Sequence, residues 1–297
     1  MLSKVGAYVA LTKPRIIELL LITTVPTMVV AQASVAGRGA LPSGWLILAT
    51  VIGGAFAAGG ANAVNMYVDR DIDALMDRTK NRPLVTGAVT PIAALTFAVA
   101  LEIVAFGFLW ATVNLLSAAL AVAATLFYVF IYTLWLKRTS KSNIVIGGAA
   151  GAVPVLIGWT AVTNSLDSWA PFVLFAVIFY WTPPHFWALA IKYKDDYSRA
   201  EVPMLPSVAS YRVVAVRIVG YSVLVVALTL VFGPVAHLGL VYDVSAAVLG
   251  AAFLALSVQV LRTESPKVAM RLFTFSITYV TLLFGAMAVD ALVRRGV

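Results

Sequence analysis

Apolar runs of about twenty residues recur along the whole 297-residue chain, separated by short polar segments. Roughly 20 apolar residues in helical form span the hydrocarbon core of a bilayer. Lipid offers no partner to a free backbone amide, so each such run must be helical. The pattern therefore predicts an all-α polytopic membrane protein, and a composition 62% hydrophobic and only 11% charged excludes an ordinary soluble domain. Nine spans are expected, near residues 16–34, 44–65, 91–111, 116–136, 144–164, 169–192, 213–234, 243–262 and 270–293. The opening "MLSKVGAYVALTKPR" lacks the small-residue cleavage site of a signal peptide, and the run after it is long enough to remain as a span. There is no cysteine, which removes disulfides, thiolate chemistry and cysteine-ligated zinc or iron–sulfur sites.

Charge orients the spans. With the N-terminus in the cytoplasm, eighteen of the 21 Lys and Arg residues fall on the inner side and only Arg38, Arg294 and Arg295 fall outside. This is a positive-inside distribution. The net charge of +8 thus reports topology rather than nucleic-acid binding. Two inner loops, 66–90 and 193–212, carry seven of the thirteen acidic residues, each after an even-numbered span. The offset of four spans suggests one domain, 1–297, with a weak internal repeat (spans 1–4 and 5–8) whose chemistry faces the cytoplasm.

The first loop opens with "NAVNMYVDRDIDALMDRTKNRPL" at 62–84. If the second helix continues past Asn65, then Asn65, Asp69 and Asp73 stand at i, i+4 and i+8 on one face, joined by Asn62, with Asp71 nearly opposite. An amide and two carboxylates converging make a hard-oxygen site suited to Mg²⁺, which fills its shell with water and phosphate oxygens. Arg78, Lys80 and Arg82 suit the same diphosphate ligand. The bland reading is a solvated loop whose charges pair with one another.

The second loop follows "YWTPPHFWALAIKYKDDYSRAEVPMLP" at 180–206. Pro183 and Pro184 are expected to interrupt the sixth span, with Thr182 capping a restarted helix. On that helix His185, Leu189, Lys192 and Asp196 share a face, and Asp195 lies off it. Lys192 would neutralise a diphosphate oxygen while Asp196 binds a second metal ion. His185 lies about two turns deeper, among Trp181, Phe186 and Trp187. It is either a ligand or acid/base group or a histidine hydrogen-bonded into the bundle. His237 reads as an interfacial residue.

"NMYVDRDIDALMDRTKNRPL" resembles the first signature of the UbiA-type intramembrane prenyltransferases, Asn-x-x-x-Asp-x-x-x-Asp, matched by Asn65, Asp69 and Asp73. "LTKPR" at 11–15, "YTLWLKRTSKSNIVIGGAAGAVPVLIGW" at 132–159 and "PPHFWALAIKYKDDYSRAEVPMLP" at 183–206 resemble the branch of that family that prenylates protohaem. Lys192-x-x-x-Asp196 preceded by His185 is that branch's pattern; the quinone-pathway relatives carry Asp-x-x-x-Asp there. The resemblance implies a helical bundle around a central cavity open to the cytoplasm and laterally to lipid. It implies transfer of a farnesyl group from farnesyl diphosphate to a vinyl group of haem b, with water added, giving haem O. In that reading Mg²⁺ sits on Asn65, Asp69, Asp73 and Asp196. Arg78, Arg82, Lys137 and Lys192 balance the leaving diphosphate, and Lys13 and Arg15 reach it or only set topology. Trp181, Phe186, Tyr128 and Tyr132 shield the cation or serve ordinary packing, and the role of His185, as haem-iron ligand, propionate contact, acid/base group or bundle histidine, stays open. The expected setting is the plasma membrane of a prokaryote, with a haem O-oxidising enzyme or terminal-oxidase assembly proteins as further partners.

Other readings compete. One is prenylation of an aromatic or quinone precursor; another is a membrane carrier, which needs charged or unwound sites reachable from both sides. A third is a haem-binding assembly subunit, which needs no magnesium–diphosphate constellation. Gly53, Gly54, Gly59, Gly60 and the Gly147-x-x-x-Gly151 pair read as close helix contacts. Glu102, in mid-span, is costly unless paired or wet, and Glu18 sits in a first helical turn, where an acid is favoured.

Overall fold

Helices begin where a short polar side chain precedes an apolar run. Ser43, Thr90, Asn114 and Ser210 each accept a hydrogen bond from the backbone amide three residues on, at 3.2, 3.4, 2.8 and 3.5 Å, satisfying one of the free donors at a helix start. The computed structural model describes residues 3–35 and 41–294, without the side chains of residues 16 and 19–21. Arg38 and Arg295 of the charge count lie outside the described residues.

The described residues are helical, with no strand. A short helix α1 (Lys4–Leu11) precedes α2 (Pro14–Ser34), α3 (Gly44–Val68), α4 (Arg70–Leu75) and α5 (Pro91–Thr112). Next comes α6 (Leu115–Leu126), which runs on as a π-helix (Phe127–Leu136) and a last turn α7 (Lys137–Thr139). Then follow α8 (Asn143–Thr163), α9 (Ala170–Lys192), α10 (Lys194–Arg199), α11 (Leu205–Val208), α12 (Tyr211–Val235), α13 (Leu240–Thr263) and α14 (Pro266–Arg294). Among the described residues eight helices are long and apolar enough to cross a membrane: α3, α5, the α6–α7 unit, α8, α9, α12, α13 and α14. α2, 21 residues long, packs among them at the place of the expected first span.

The expected break in the sixth span does not occur. α9 is continuous from Ala170 to Lys192 through Pro183 and Pro184. Thr182 lies inside it, its hydroxyl donating to the Ile178 carbonyl at 2.9 Å rather than capping a new start. Membrane helices tolerate proline because side-chain hydroxyls and neighbouring helices satisfy the backbone. The real break comes later, at Tyr193 (φ −107°, ψ 22°), between α9 and α10. A matching break at Asp69 (φ −85°, ψ 3°) separates α3 from α4. Both polar loops thus begin with a six-residue helix.

Successive long helices pack side by side in chain order, from α2 through α3, α5, α6, α8, α9, α12 and α13 to α14, and α14 returns to α2 to close a ring. Contacts of α2 with α8 and of α9 with α14 cross that ring. The second half is filled by a large apolar core including Trp187, Phe232, Phe253 and Phe284. Between α13 and α14, buried Asp290 accepts from the Gly239 and Tyr242 amides at 2.6 and 3.2 Å. A carboxylate inside the last span is thereby spent as a cap on its neighbour. In the first half, α2, α3, α6, the π-helix and α8 enclose an apolar cavity of about 900 Å³ including its mouth.

The glycines divide between contact and cavity. A Cβ on Gly53, Gly60 or Gly147 would fall within 2.4, 2.6 or 2.3 Å of Leu109, Glu102 or Tyr132, whereas Gly54 and Gly151 line the cavity. At Gly158 the obstacle is backbone, the Thr24 carbonyl oxygen at 2.6 Å. Gly158→Ala is therefore expected to cost about 1–3 kcal/mol by forcing α2 and α8 apart. Gly54→Ala, with nothing within 4 Å, is expected to stay within about 0.5 kcal/mol of the parent. Thermal unfolding of both in one detergent checks this, and equal midpoints would refute the close α2–α8 contact.

Candidate active site

Asp69 ends α3 with no exposed surface, its amide still bonded to the Asn65 carbonyl at 2.9 Å and its own carbonyl to the Asp73 amide at 2.8 Å. The helical spacing therefore survives the break. Asn65, Asp69 and Asp73 are buried on the inner side, while Asp71 is exposed and pairs with Arg138 at 2.7 Å.

Each inner group has a partner. The Asn65 amide donates to Asp69 Oδ2 at 2.7 Å and to Thr133 Oγ1 at 3.1 Å, and its oxygen accepts from Lys13 Nζ at 2.7 Å. Lys137 donates to Asp69 Oδ2, Arg138 stands 3.8 Å from Oδ1, and Arg82 pairs with Asp73 at 2.5 Å. The π-helix makes this possible. Its i→i+5 hydrogen bonding widens the turn beyond four residues, so Tyr128, Tyr132, Thr133 and Lys137 follow one another on a single face. The two tyrosine rings stack there at 5.4 Å.

The cations outnumber what the buried carboxylates need. Lys13 holds a left-handed backbone (φ 52°) at the head of α2. Burial, and then the Arg82 and Lys137 charges, push its ammonium well below its usual range, against the smaller opposing pull of Asp69 and Asp73. On the exposed side of the first polar loop, hydrogen bonds from Arg138 hold the Asp71 carboxyl at about 2, and those from Lys80 and then Arg199 do the same for Asp77. Stability from a lowered carboxyl is in place above the ordinary value of 3.8 and lost as pH falls toward 2, so both pairs stand throughout the neutral range.

The second loop docks onto the first. Buried Asp196 accepts from the Arg78 amide at 3.2 Å and from Arg199, which also holds Asp77 at 2.6 Å. Arg78 and Lys192 sit over the Tyr193 ring at 5.8 and 5.4 Å. Lys192 is exposed and shares no ion pair with Asp196, because the break at Tyr193 takes the two off one helical face. Arg15 is exposed. His185 stacks between Trp181 and Phe273 at 4.2 and 4.6 Å, its Nδ1 2.7 Å from Ser276 Oγ. Phe186 packs against the large core. Mid-span Glu102 accepts from Thr125, a cavity residue, at 3.2 Å. Sequence reasoning missed Thr133 and Ser276, for which the sequence carries no signal, and counted Arg138 and Arg199 only as topology.

Magnesium fits an all-oxygen donor set, and Asp69 Oδ1 is buried with no hydrogen-bond partner. Among the described residues no three carboxylates or imidazoles gather within reach of one ion, since each carboxylate is drawn to its own cation. Any ion here takes one or two protein carboxylates and completes its shell from water or substrate oxygens, as magnesium does. The cavity begins beside this cluster, at Asn62 and Tyr128, and is otherwise lined by small apolar residues such as Ala57, Ala58, Ala121 and Ala124.

A carboxylate–cation cluster at the end of apolar helices, beside an apolar cavity, is what an intramembrane enzyme acting on an amphipathic anion needs, and the chain's relatives are of that class. Residues 21–282 match the UbiA prenyltransferase family, and the chain belongs to that family of integral membrane proteins. It is 57% identical over 295 residues to the protoheme IX farnesyltransferase of Frankia alni, covering 98% of this chain and 99% of that one. It is 53% identical over 301 residues to the protoheme IX farnesyltransferase of Streptomyces coelicolor, covering 98% and 92%. In fold it is similar to a digeranylgeranylglyceryl phosphate synthase (TM-score 0.77, 17% identity, 97% and 99% covered). It is similar too to a UbiA homologue from Archaeoglobus fulgidus bound to GPP and Mg²⁺ (TM-score 0.64, 15% identity, 95% and 99% covered).

Removing one partner from a buried ion pair costs about 3–5 kcal/mol, whereas removing both costs far less. Lys137→Met is therefore expected to destabilise the protein by that amount, and Lys137→Met with Asp69→Asn to recover most of it. Unfolding free energies of wild type, Lys137→Met, Asp69→Asn and the double variant in one detergent check the coupling; additive losses would mean Lys137 and Asp69 act independently.

Proposed function

We propose that this chain transfers a farnesyl group from farnesyl diphosphate to a vinyl group of haem b, with addition of water, giving haem O and diphosphate. The observation that carries it is the cation-rich cluster of Lys13, Arg82 and Lys137 around Asp69 and Asp73, one helical turn from Asn62 in the lining of an apolar cavity. A diphosphate head and a polyprenyl tail need those two environments side by side. The haem acceptor and the farnesyl length rest on relatives at 52–57% identity that carry the name protoheme IX farnesyltransferase.

In this reading Asn65, Asp69 and Asp73 would hold one magnesium ion and Asp196 a second. Magnesium supplies charge withdrawal from the leaving group. Arg78, Arg82, Lys13 and Lys137 receive the negative charge that grows as the allylic C–O bond breaks and its electron pair leaves with the diphosphate. Tyr128 and Tyr132 shield the farnesyl cation at the cavity mouth. The vinyl π pair forms the new C–C bond, and a water oxygen closes on the resulting cation and releases a proton. Lys192 acts at the rim beside Arg78 rather than as a partner of Asp196. The chain is one domain with the N-terminus and the site on the cytoplasmic side of a prokaryotic plasma membrane, and α2 is its ninth span. Passing haem O to an oxidising enzyme or an oxidase assembly would follow.

Purified protein in nanodiscs, given haem b, farnesyl diphosphate and Mg²⁺, is expected to raise the haem mass by one farnesyl group plus water. Chelation with EDTA, or Asp69→Ala with Asp73→Ala, is expected to cut the rate at least a hundredfold. Product formed equally by the double variant would refute the assigned metal site. Ala58→Phe, which fills the cavity, is expected to raise KM for farnesyl diphosphate and to shift preference toward geranyl diphosphate. Unchanged chain preference would mean that the tail lies elsewhere.

A further inference from the structure

His185 is held more tightly than a packing residue needs. Its ring is covered on one face by Trp181 (4.2 Å, 18° between planes) and on the other by Phe273 (4.6 Å, 29°). Trp181 and His185 itself are both tied to one residue of the last helix. The Ser276 carbonyl accepts from Trp181 Nε1 at 3.0 Å, and its hydroxyl lies 2.7 Å from His185 Nδ1.

The direction of that last bond can be worked out. A serine hydroxyl has one hydrogen, and that of Ser276 is donated to the Phe273 carbonyl at 2.6 Å, since a carbonyl oxygen only accepts. Ser276 Oγ is therefore the acceptor toward His185, and Nδ1 carries the proton. The neutral ring then keeps its lone pair on Nε2. Nε2 has no hydrogen-bond partner among the described residues and is not one of the sealed buried atoms, so it opens to the space beside α9. With both faces covered and Nδ1 occupied, this edge is what the ring presents. A metal-ligating histidine is built this way, with its distal N–H fixed by a hydrogen bond so that the other nitrogen is both basic and aimed.

Position supports the assignment. His185 lies seven residues before Lys192, about 10 Å below the polar loops. Consecutive glycines of α8 seat that helix against both sides, Gly147 against Tyr132 and Gly148 against Thr182. Thr182, three residues before His185, and Tyr132 thus lie against neighbouring faces of α8.

We infer that Ser276 is a positioning residue that fixes His185 with its proton on Nδ1, presenting Nε2 as an axial ligand to the iron of the haem acceptor. This rests on the haem reading above. The test is a titration of ferric haem b into the protein in nanodiscs, followed by its Soret and low-temperature EPR spectra. Wild type is expected to give nitrogen-ligated haem. His185→Gly should lose that signature and regain it with added imidazole. Ser276→Ala, which keeps the backbone carbonyl for Trp181, should weaken haem binding about 10–100-fold, while Ser276→Thr should stay near wild type. Spectra and affinities unchanged in His185→Gly and Ser276→Ala, or no nitrogen ligation in wild type, would overturn the inference. The product assay on wild type runs in parallel to separate the two failures. Farnesylated haem with no His185-dependent spectrum refutes the ligand alone. A His185-dependent spectrum with no farnesylated haem upholds the ligand and refutes the reaction.

Discussion

A fully buried carboxylate at the end of a membrane helix is the constraint to which the rest of this site answers. Each buried ion carries a desolvation cost of several kcal/mol, so Asp69 cannot exist here without partners. They come from separate parts of the chain: Asn65 one turn earlier, Lys137 from the end of the fourth long helix, and Lys13, through Asn65, from the head of α2. The ring of helices is therefore fastened at one end by charge, although apolar contact fills its body. Arg82 with Asp73, and Arg199 with Asp77 and Asp196, extend the fastening to both polar loops. In the proposed reaction the same cations exchange these intramolecular partners for a diphosphate, so that folding and substrate binding draw on one set of charges.

Much of this was legible in the sequence because it is written in periodicity and cost. Spans follow from apolar length, helix starts from Ser, Thr and Asn ahead of them, and the Asn65–Asp69–Asp73 face from its spacing. What could not be read depends on partners distant in sequence. "FYVFIYTLWL" carries no mark that separates a π-helix from an α-helix; its register is set by Asn65 and Asp69 waiting across the interface. The Pro183–Pro184 pair reads as a break under rules learned in water, and in a bundle it is not one. Tyr193, by contrast, gives no warning that it ends a helix, so Lys192 and Asp196 were set on one face that does not exist. Ser276 is one hydroxyl among many in apolar helices, and only its place opposite His185 gives it meaning.

The two halves of the ring handle their interiors differently. The second is a dry core of large side chains, stiffened by caps such as Asp290 on the start of α13. The first spends its small residues on an open interior, with Gly54, Ala57, Ala58 and Gly151 around the cavity. Small residues there do not bring helices together but keep them from filling the space between. One residue type thus serves contact at Gly53, Gly60 and Gly158 and vacancy at Gly54 and Gly151.

α8 is the seam between those halves, since it touches α2, α6 and the π-helix on one side and α9 on the other. The apolar cavity lies wholly on the first side, and the histidine clamp is built wholly from α9 and α14 on the second. In the proposed reading the prenyl tail and the acceptor are therefore held by different sets of helices. The two sides meet where α14 packs on α2 and again at Gly147 and Gly148, where bulk presses on Tyr132 and Thr182 at once.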